Sequence, residues 1–202
     1  MAPDVPLVLG LPCAGITRIL RIKSVQVPSG AVGRDGIDMA DEHRILSWDE
    51  YFMGVAAITA KRSKDPHTQV GAVIVGRDLR ILSIGYNGTP RGMNDDTFPW
   101  SREGETLKTK YPYVIHAERN AVLNFRGLMR ELHGATVYVT HFPCNECSKE
   151  LAQVGIAEVV YAYNPYPDSN ETRAAQTILD AAGITTRVVP VPEITISNDC
   201  EA

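Results

Sequence analysis

The sequence predicts an α/β layer fold, and three observations predict it. From Asp41 onward strand-like and helical signals alternate, five β-rich runs recur along that stretch, and the helical runs carry recognisable start or stop residues. The first helix is read in "SWDEYFMGVAAITAKRS", where Ser47 is the N-cap and Glu50, three residues on, is its capping-box partner. Tyr51, Phe52, Val55, Ala56 and Ile58 mark its apolar face. The runs "QVGAVIVG" and "RILSIGY" are separated only by "RDL", which predicts a hairpin.

Residues 87 to 113, from "NGTPRG" to "KYPY", carry Gly, Pro and Asp with little periodicity; a connection that long is usually functional or mobile. Helical spacing resumes in "VIHAERNAVLNF", "ATVYVT" reads as a strand, and "CNECSKELAQVG" as a helix closed by Gly155. A fourth strand follows in "AEVVYAY", then a helix in "NETRAAQTILDAAG" closed by Gly183, then a fifth strand in "TTRVVPV". The predicted organisation is an extension over 1–40, one domain over 41–192, and a loose tail over 193–202.

Composition narrows the function classes. The chain has 202 residues, 44% of them apolar and 22% charged, which is a globular profile for one domain with tails. Lys+Arg 20 against Asp+Glu 24 leaves a formal charge of −4, so no overall positive field draws in a long nucleic acid, and an anionic ligand must be held by local groups. Of the four cysteines, Cys13 and Cys200 lie in the terminal segments, which is no secreted disulfide framework and favours a reducing compartment, cytoplasmic or, in a eukaryote, also nuclear. The longest apolar run, "VPLVLGLPCAGITRIL", is broken by Pro and Gly and is shorter than a membrane span, so neither a signal peptide nor a membrane helix is expected.

That same run places Gly10 and Gly15 at phosphate-loop spacing before Thr17, but Ile16 stands where such a loop needs its Lys. Residues 1 to 40 are therefore expected to be a disordered extension or a degenerate phosphate-loop remnant, with Met39 as an alternative start.

The chemistry concentrates in "THFPCNECSK". Cys144 and Cys147 open a helix behind Pro143, a placement shared by redox dithiols and by metal ligands. Upstream, "YPYVIHAERN" places His116 and Glu118 at the start of another helix. One nitrogen and two sulfurs suit Zn²⁺, and three protein ligands leave a fourth tetrahedral position for water, the mark of a catalytic rather than a structural zinc. Glu118 lies two residues from His116, beside the metal without being its obvious ligand, and is expected to shuttle the proton of a water whose pKa zinc brings from 15.7 to about 7. His116, Glu118, Pro143, Cys144 and Cys147 complete the H-x-E and P-C-x-x-C signature of zinc deaminases.

Over about residues 47 to 189 the chain resembles the deoxycytidylate (dCMP) deaminase family, within the wider cytidine deaminase superfamily. The stretches that carry the resemblance are "SWDEYFM", "SKDPHTQVGAVIV", "GYNGTPRG", "KYPYVIHAERNAVLN" and "GATVYVTHFPCNECSKELAQVGIAEVVY". It implies a three-layer α/β/α cytidine-deaminase-like fold with a five-stranded mixed sheet, and zinc-dependent hydrolysis of dCMP to dUMP for thymidylate synthesis. It also implies a homo-oligomer, commonly a hexamer, activated by dCTP and inhibited by dTTP. Asn87 matches the family's sugar-contacting asparagine, and Ala117 joins it in the expected substrate set. Gly88, Arg91, Asp95 and Asp96 match the segment that handles the effector, where an acidic residue would hold Mg²⁺ on dCTP.

The phosphate is the gap in this correspondence. Many bacterial relatives carry a basic residue after the fourth strand, whereas here "AYNPYPDSN" has neither Lys nor Arg, so the phosphate is expected to fall to Lys110, Arg91 or Arg62, to backbone N–H groups, to tyrosines such as Tyr163 or Tyr166, or to a neighbouring subunit. Three other readings stand beside this one: a related deaminase acting on other cytosine nucleosides or on tRNA or single-stranded DNA bases, a non-catalytic zinc protein that binds nucleotides, and a thioredoxin-like protein. The acidic balance opposes the nucleic-acid reading, and an intact Glu118 opposes a purely structural zinc. The redox reading leaves His116 and Glu118 without a task.

Overall fold

The computed structural model describes residues 45–194. The expectations for 1–40, for a start at Met39, and for nearly all of the tail lie outside the described residues.

Nine regular elements follow in chain order among those residues: α1 (Trp48–Ala60), β1 (Gly71–Val75), β2 (Ile81–Tyr86), α2 (Ala117–Asn124), β3 (Thr136–His141), α3 (Asn145–Gln153), β4 (Glu158–Tyr163), α4 (Asn170–Ala181) and β5 (Thr185–Val188). The strands form one sheet in the order β2-β1-β3-β4-β5. β1 runs antiparallel to both β2 and β3, and β3, β4 and β5 run parallel. The sheet is mixed because the five-residue connection 76–80 is too short for anything but a hairpin, while the parallel pairs are joined through α3 and α4 as crossovers.

Helices cover both faces. α1 lays Phe52, Met53 and Ala56 on Val73, Val75, Tyr138 and Val160. The opposite face carries α2, α3 and α4, where Ala121, Leu151 and Leu179 meet Ile74, Val137, Val139 and Val159. All five residues of β1 are buried, as a strand covered on both sides requires.

The Ser47 and Glu50 capping box is present in both directions, and Gly155 and Gly183 terminate α3 and α4 in the left-handed conformation at φ +78° and +71°. The apolar face of α1 needs correction. Tyr51 and Ile58 are 44% and 48% exposed, and Met53, absent from the predicted face, is fully buried. The stripe that meets the sheet is Phe52, Met53, Ala56, Thr59 and Ala60, at spacings of one, three or four residues, and Tyr51 and Ile58 stand on its flanks. β5 is also shorter than "TTRVVPV": its last ladder bond is Val189 N–H to Tyr161 O at 2.9 Å, and Pro190 has no N–H to continue it.

A polar cluster ties α1 to the parallel half of the sheet. The Arg187 guanidinium spans both oxygens of Asp49, at 2.5 and 2.7 Å, and also donates to Glu158 at 2.9 Å; the Tyr138 hydroxyl donates to Asp49 at 2.7 Å. The Arg187 hydrogen bonds hold Asp49 below the usual carboxylate range, against burial. The groups are about one-third exposed, so the cluster is worth about 1 kcal/mol, and Arg187→Met is expected to lower the thermal midpoint by roughly 2–4 °C. Asp49 contributes in full above about pH 4, where an unfolded-chain Asp is ionised, and the contribution is lost as pH falls through its depressed pKa. Acid denaturation followed by circular dichroism should therefore show the wild-type advantage over Arg187→Met narrowing below about pH 4.

Candidate metal centre and substrate cavity

His116 and Cys144 are the N-cap residues of α2 and α3, and neither side chain makes the usual capping hydrogen bond to its own helix. They turn instead toward each other. His116 Nδ1 lies 3.4 Å from Cys144 Sγ and 3.5 Å from Cys147 Sγ, and the three ligand atoms fall within 4.8 Å of one another. Zinc bonds of about 2.0 Å to nitrogen and 2.3 Å to sulfur place tetrahedral nitrogen and sulfur ligands roughly 3.6 Å apart. The donor set and its spacing therefore fit Zn²⁺, held through Nδ1 and two thiolates. Both cysteines are free thiols rather than a bridge.

The electrostatics favour the ligand state at Cys144 and oppose it at Cys147 and His116. The hydrogen bond from Cys147 pulls the Cys144 thiol down to about 3, with His116 assisting against burial, while that same bond and burial push Cys147 up. A metal that takes both sulfurs must therefore displace the Cys147 proton. The hydrogen bond with Cys144 raises His116. Glu118 is 4% exposed. Burial pushes its carboxyl up, which suits a group that must both take and return a proton.

Two contacts fix the helices that carry these groups. α2 is pinned to β2 by Ser83 Oγ donating to Ala121 O at 2.6 Å, Asn120 Nδ2 to Tyr86 O at 2.8 Å and Asn124 Nδ2 to Ile84 O at 3.0 Å. α2 is joined to α3 by Arg119, whose guanidinium donates twice to Glu150 Oε1.

His116 and Cys144 line a cavity of about 360 Å³, a size that accommodates a small ligand, with Cys147 buried behind them. Glu118 and Ala117 form part of its wall. Asn87 also reaches it, but its amide is largely engaged: Oδ1 accepts from Val70 N–H at 2.8 Å, and Nδ2 donates to Thr68 O at 2.9 Å and toward Asp65 at 3.4 Å. What remains is the second lone pair of Oδ1, which could accept from a hydroxyl. Lys110 lines the cavity too, but its ammonium is ion-paired with buried Asp65. Tyr163 does not line it; its ring packs edge-on against His141 with centroids 5.6 Å apart. The tyrosines in the wall are Tyr111 and Tyr166.

Asp65, Arg102 and His141 belong to the wall and were not singled out by the sequence. Burial pushes the Asp65 carboxyl up, but Lys110 and the amides of His67 and Thr68 bring it below its ordinary range. Asp65 had one legible signal, the Asp-Pro turn of "SKDPH", whose carboxylate accepts those two amides at 2.8 and 3.1 Å.

A second cavity, about 540 Å³, lies between the start of the long loop and α2. Gly88, Arg91 and Asp95 line it together with Arg62, Lys64 and Arg126, whereas Asp96 is exposed and takes no part in its wall. Asp95 is held by Lys64 and by the Thr89 hydroxyl at 2.6 Å.

A water-accessible His/Cys/Cys triplet with a buried carboxylate beside it is built for hydrolytic chemistry at a metal. The family described as the cytidine and deoxycytidylate deaminase zinc-binding region matches residues 46–163. The chain is 50% identical over 143 residues to the deoxycytidylate deaminase of Homo sapiens, covering 70% of this chain and 79% of that protein, and 51% identical over 143 residues to that of Mus musculus, with the same coverage. Among solved structures, the dCMP deaminase of cyanophage S-TIM5 in complex with dCMP and dUMP is 29% identical and superposes with a TM-score of 0.58, covering 73% of this chain and 100% of that one. The chain belongs to the cytidine and deoxycytidylate deaminase family. No helix among the described residues is long and apolar enough to cross a membrane.

Proposed function

We propose that this chain catalyses the hydrolytic deamination of dCMP to dUMP, with Glu118 as the catalytic acid and base and His116, Cys144 and Cys147 as ligands of one Zn²⁺. The observation that carries the reading is the meeting of His116 Nδ1, both sulfurs and a buried carboxyl at a cavity of nucleoside dimensions. Half-identity to deoxycytidylate deaminases and the likeness to a dCMP-bound structure support the substrate.

Zinc, when bound, supplies the Lewis acid that makes water a nucleophile near neutral pH. Glu118 accepts a proton from the attacking water as its oxygen adds to C4 of the pyrimidine, and delivers that proton to N3. It then takes the remaining proton of the new C4 hydroxyl and gives it to the amine, so that the C4–N bond breaks, ammonia leaves and the ring carbonyl remains. Asn87 Oδ1 accepts a sugar hydroxyl.

The product feeds thymidylate synthesis in the cytoplasm, and the enzyme works as a homo-oligomer. dCTP and dTTP compete for the second cavity, where Arg62, Arg91 and Arg126 offer a polyphosphate its counter-charges. Asp95 is already engaged by Lys64 and Thr89, so a Mg²⁺ accompanying dCTP would draw its ligands from the phosphates and water, with Asp96 the nearest uncommitted carboxylate in sequence.

The test is ammonia release by the zinc-loaded protein from dCMP, CMP, deoxycytidine, adenosine and a cytosine-containing oligonucleotide, with and without dCTP and Mg²⁺. Selective turnover of dCMP, raised by dCTP, is the expected result. Faster turnover of deoxycytidine or the oligonucleotide would overturn the substrate.

A further inference from the structure

Besides the two histidines, His116 and His141, the cavity wall contains two basic side chains, and they differ in what they have left to offer. Lys110 is 7% exposed and its charge is matched by Asp65, itself 2% exposed. Asp65 in turn is filled by Lys110, by two backbone amides and by Asn87. That group is a closed, neutral structural cluster. Arg102 is the opposite case. It makes no ion pair with any carboxylate among the described residues; its guanidinium is held by two phenols, Nε donating to Tyr111 at 3.5 Å and Nη2 to Tyr166 at 3.1 Å. Both tyrosines line the same cavity. A guanidinium fixed by neutral acceptors keeps its full charge, and its remaining N–H donors stay free for a ligand oxygen.

The position matters as much as the charge. Tyr166 lies in "AYNPYPDSN", the segment after β4 that has no basic residue of its own. The long loop before α2 carries Arg102 across to that segment, a contact spanning 64 positions in the chain. We infer that Arg102, oriented by Tyr111 and Tyr166, is the phosphate-recognition residue of the substrate cavity and sets the preference for a nucleoside 5′-monophosphate over the free nucleoside. The inference rests on the deaminase reading above and deepens it. Arg102 matches a phosphate in charge and in fork geometry, Tyr111 and Tyr166 are positioning residues, and the phenols contribute further donors once the guanidinium turns to the anion.

The experiment compares kcat/KM for dCMP with kcat/KM for deoxycytidine in wild type, Arg102→Ala, Arg102→Lys, Tyr166→Phe and Lys110→Met, with zinc content and thermal midpoint checked for each. Losing a charge-assisted contact to phosphate should lower the dCMP to deoxycytidine ratio about 30-fold in Arg102→Ala, chiefly through KM for dCMP. Arg102→Lys should recover part of that ratio, since the charge survives without the fork. Tyr166→Phe should lower the ratio several-fold, roughly the value of one orienting hydrogen bond. An Arg102→Ala enzyme that binds zinc, melts normally and keeps the wild-type ratio would overturn the proposal, as would a ratio that collapses in Lys110→Met alone. A wild-type enzyme that prefers deoxycytidine would instead overturn the dCMP reading itself, before any variant is compared.

Discussion

Glu118→Gln is expected to lower kcat for dCMP about a thousandfold or more while the protein keeps its zinc and its fold. The change is nearly isosteric, so packing at a site only 4% exposed is preserved. What disappears is the ability to take a proton and give it back, because an amide is neither a base nor an acid in this range. The three groups whose ligand atoms converge are His116, Cys144 and Cys147, so removing the carboxyl subtracts no metal ligand. Zinc content by atomic emission, thermal midpoint and single-turnover rate on one preparation separate the contributions. Loss of zinc together with activity would make Glu118 a ligand rather than a proton carrier, and retention of more than about a tenth of the rate would remove it from the chemistry.

The elements legible in the sequence were those whose information is local. A capping box, a short hairpin connection and a glycine after a helix each declare themselves within a few residues, and Ser47, the turn around "RDL", Gly155 and Gly183 all do so. The metal triplet was legible for a related reason: each half of the motif sits at a helix start, so two short patterns specify three ligand atoms. What failed to show was what depends on partners far away in the chain. Lys110 reads as a free cation until Asp65, 45 positions earlier, is seen to neutralise it. Tyr163 and Tyr166 are indistinguishable in "YAYNPY" until the end of β4 aims one at His141 and leaves the other facing Arg102. Arg102 itself lies in a loop with no periodicity to give it a direction. The face of α1 was misjudged on a smaller scale, since apolar content marked Tyr51 and Ile58 as core although the helix axis over the sheet puts both on its flanks.

The second large effect concerns a residue that touches neither metal nor substrate. A Cβ added at Gly85 would lie 2.2 Å from Ala121 N and 2.3 Å from Ala117 O, both backbone atoms of α2. No rotamer change relieves such a clash, so the helix must lift from β2, straining the three hydrogen bonds that Ser83, Asn120 and Asn124 make across the seam. Gly85→Ala is expected to cost about 3 kcal/mol, roughly 6–12 °C in thermal midpoint. Because His116 caps α2 and Glu118 lies in its first turn, the same displacement should weaken zinc binding about 10- to 100-fold, read by chelator competition. Gly71→Ala supplies the control. Its Cβ would fall 2.0 Å from Ala56 O and 2.5 Å from Ala60 N, an equal insult delivered to α1 on the other face of the sheet, where no ligand resides. It should destabilise the fold comparably yet leave zinc affinity of the folded protein within about twofold. Equal losses of zinc affinity in both variants would mean that the metal centre responds to overall stability. A loss confined to Gly85→Ala would mean that the seating of α2 on β2 sets the ligand geometry.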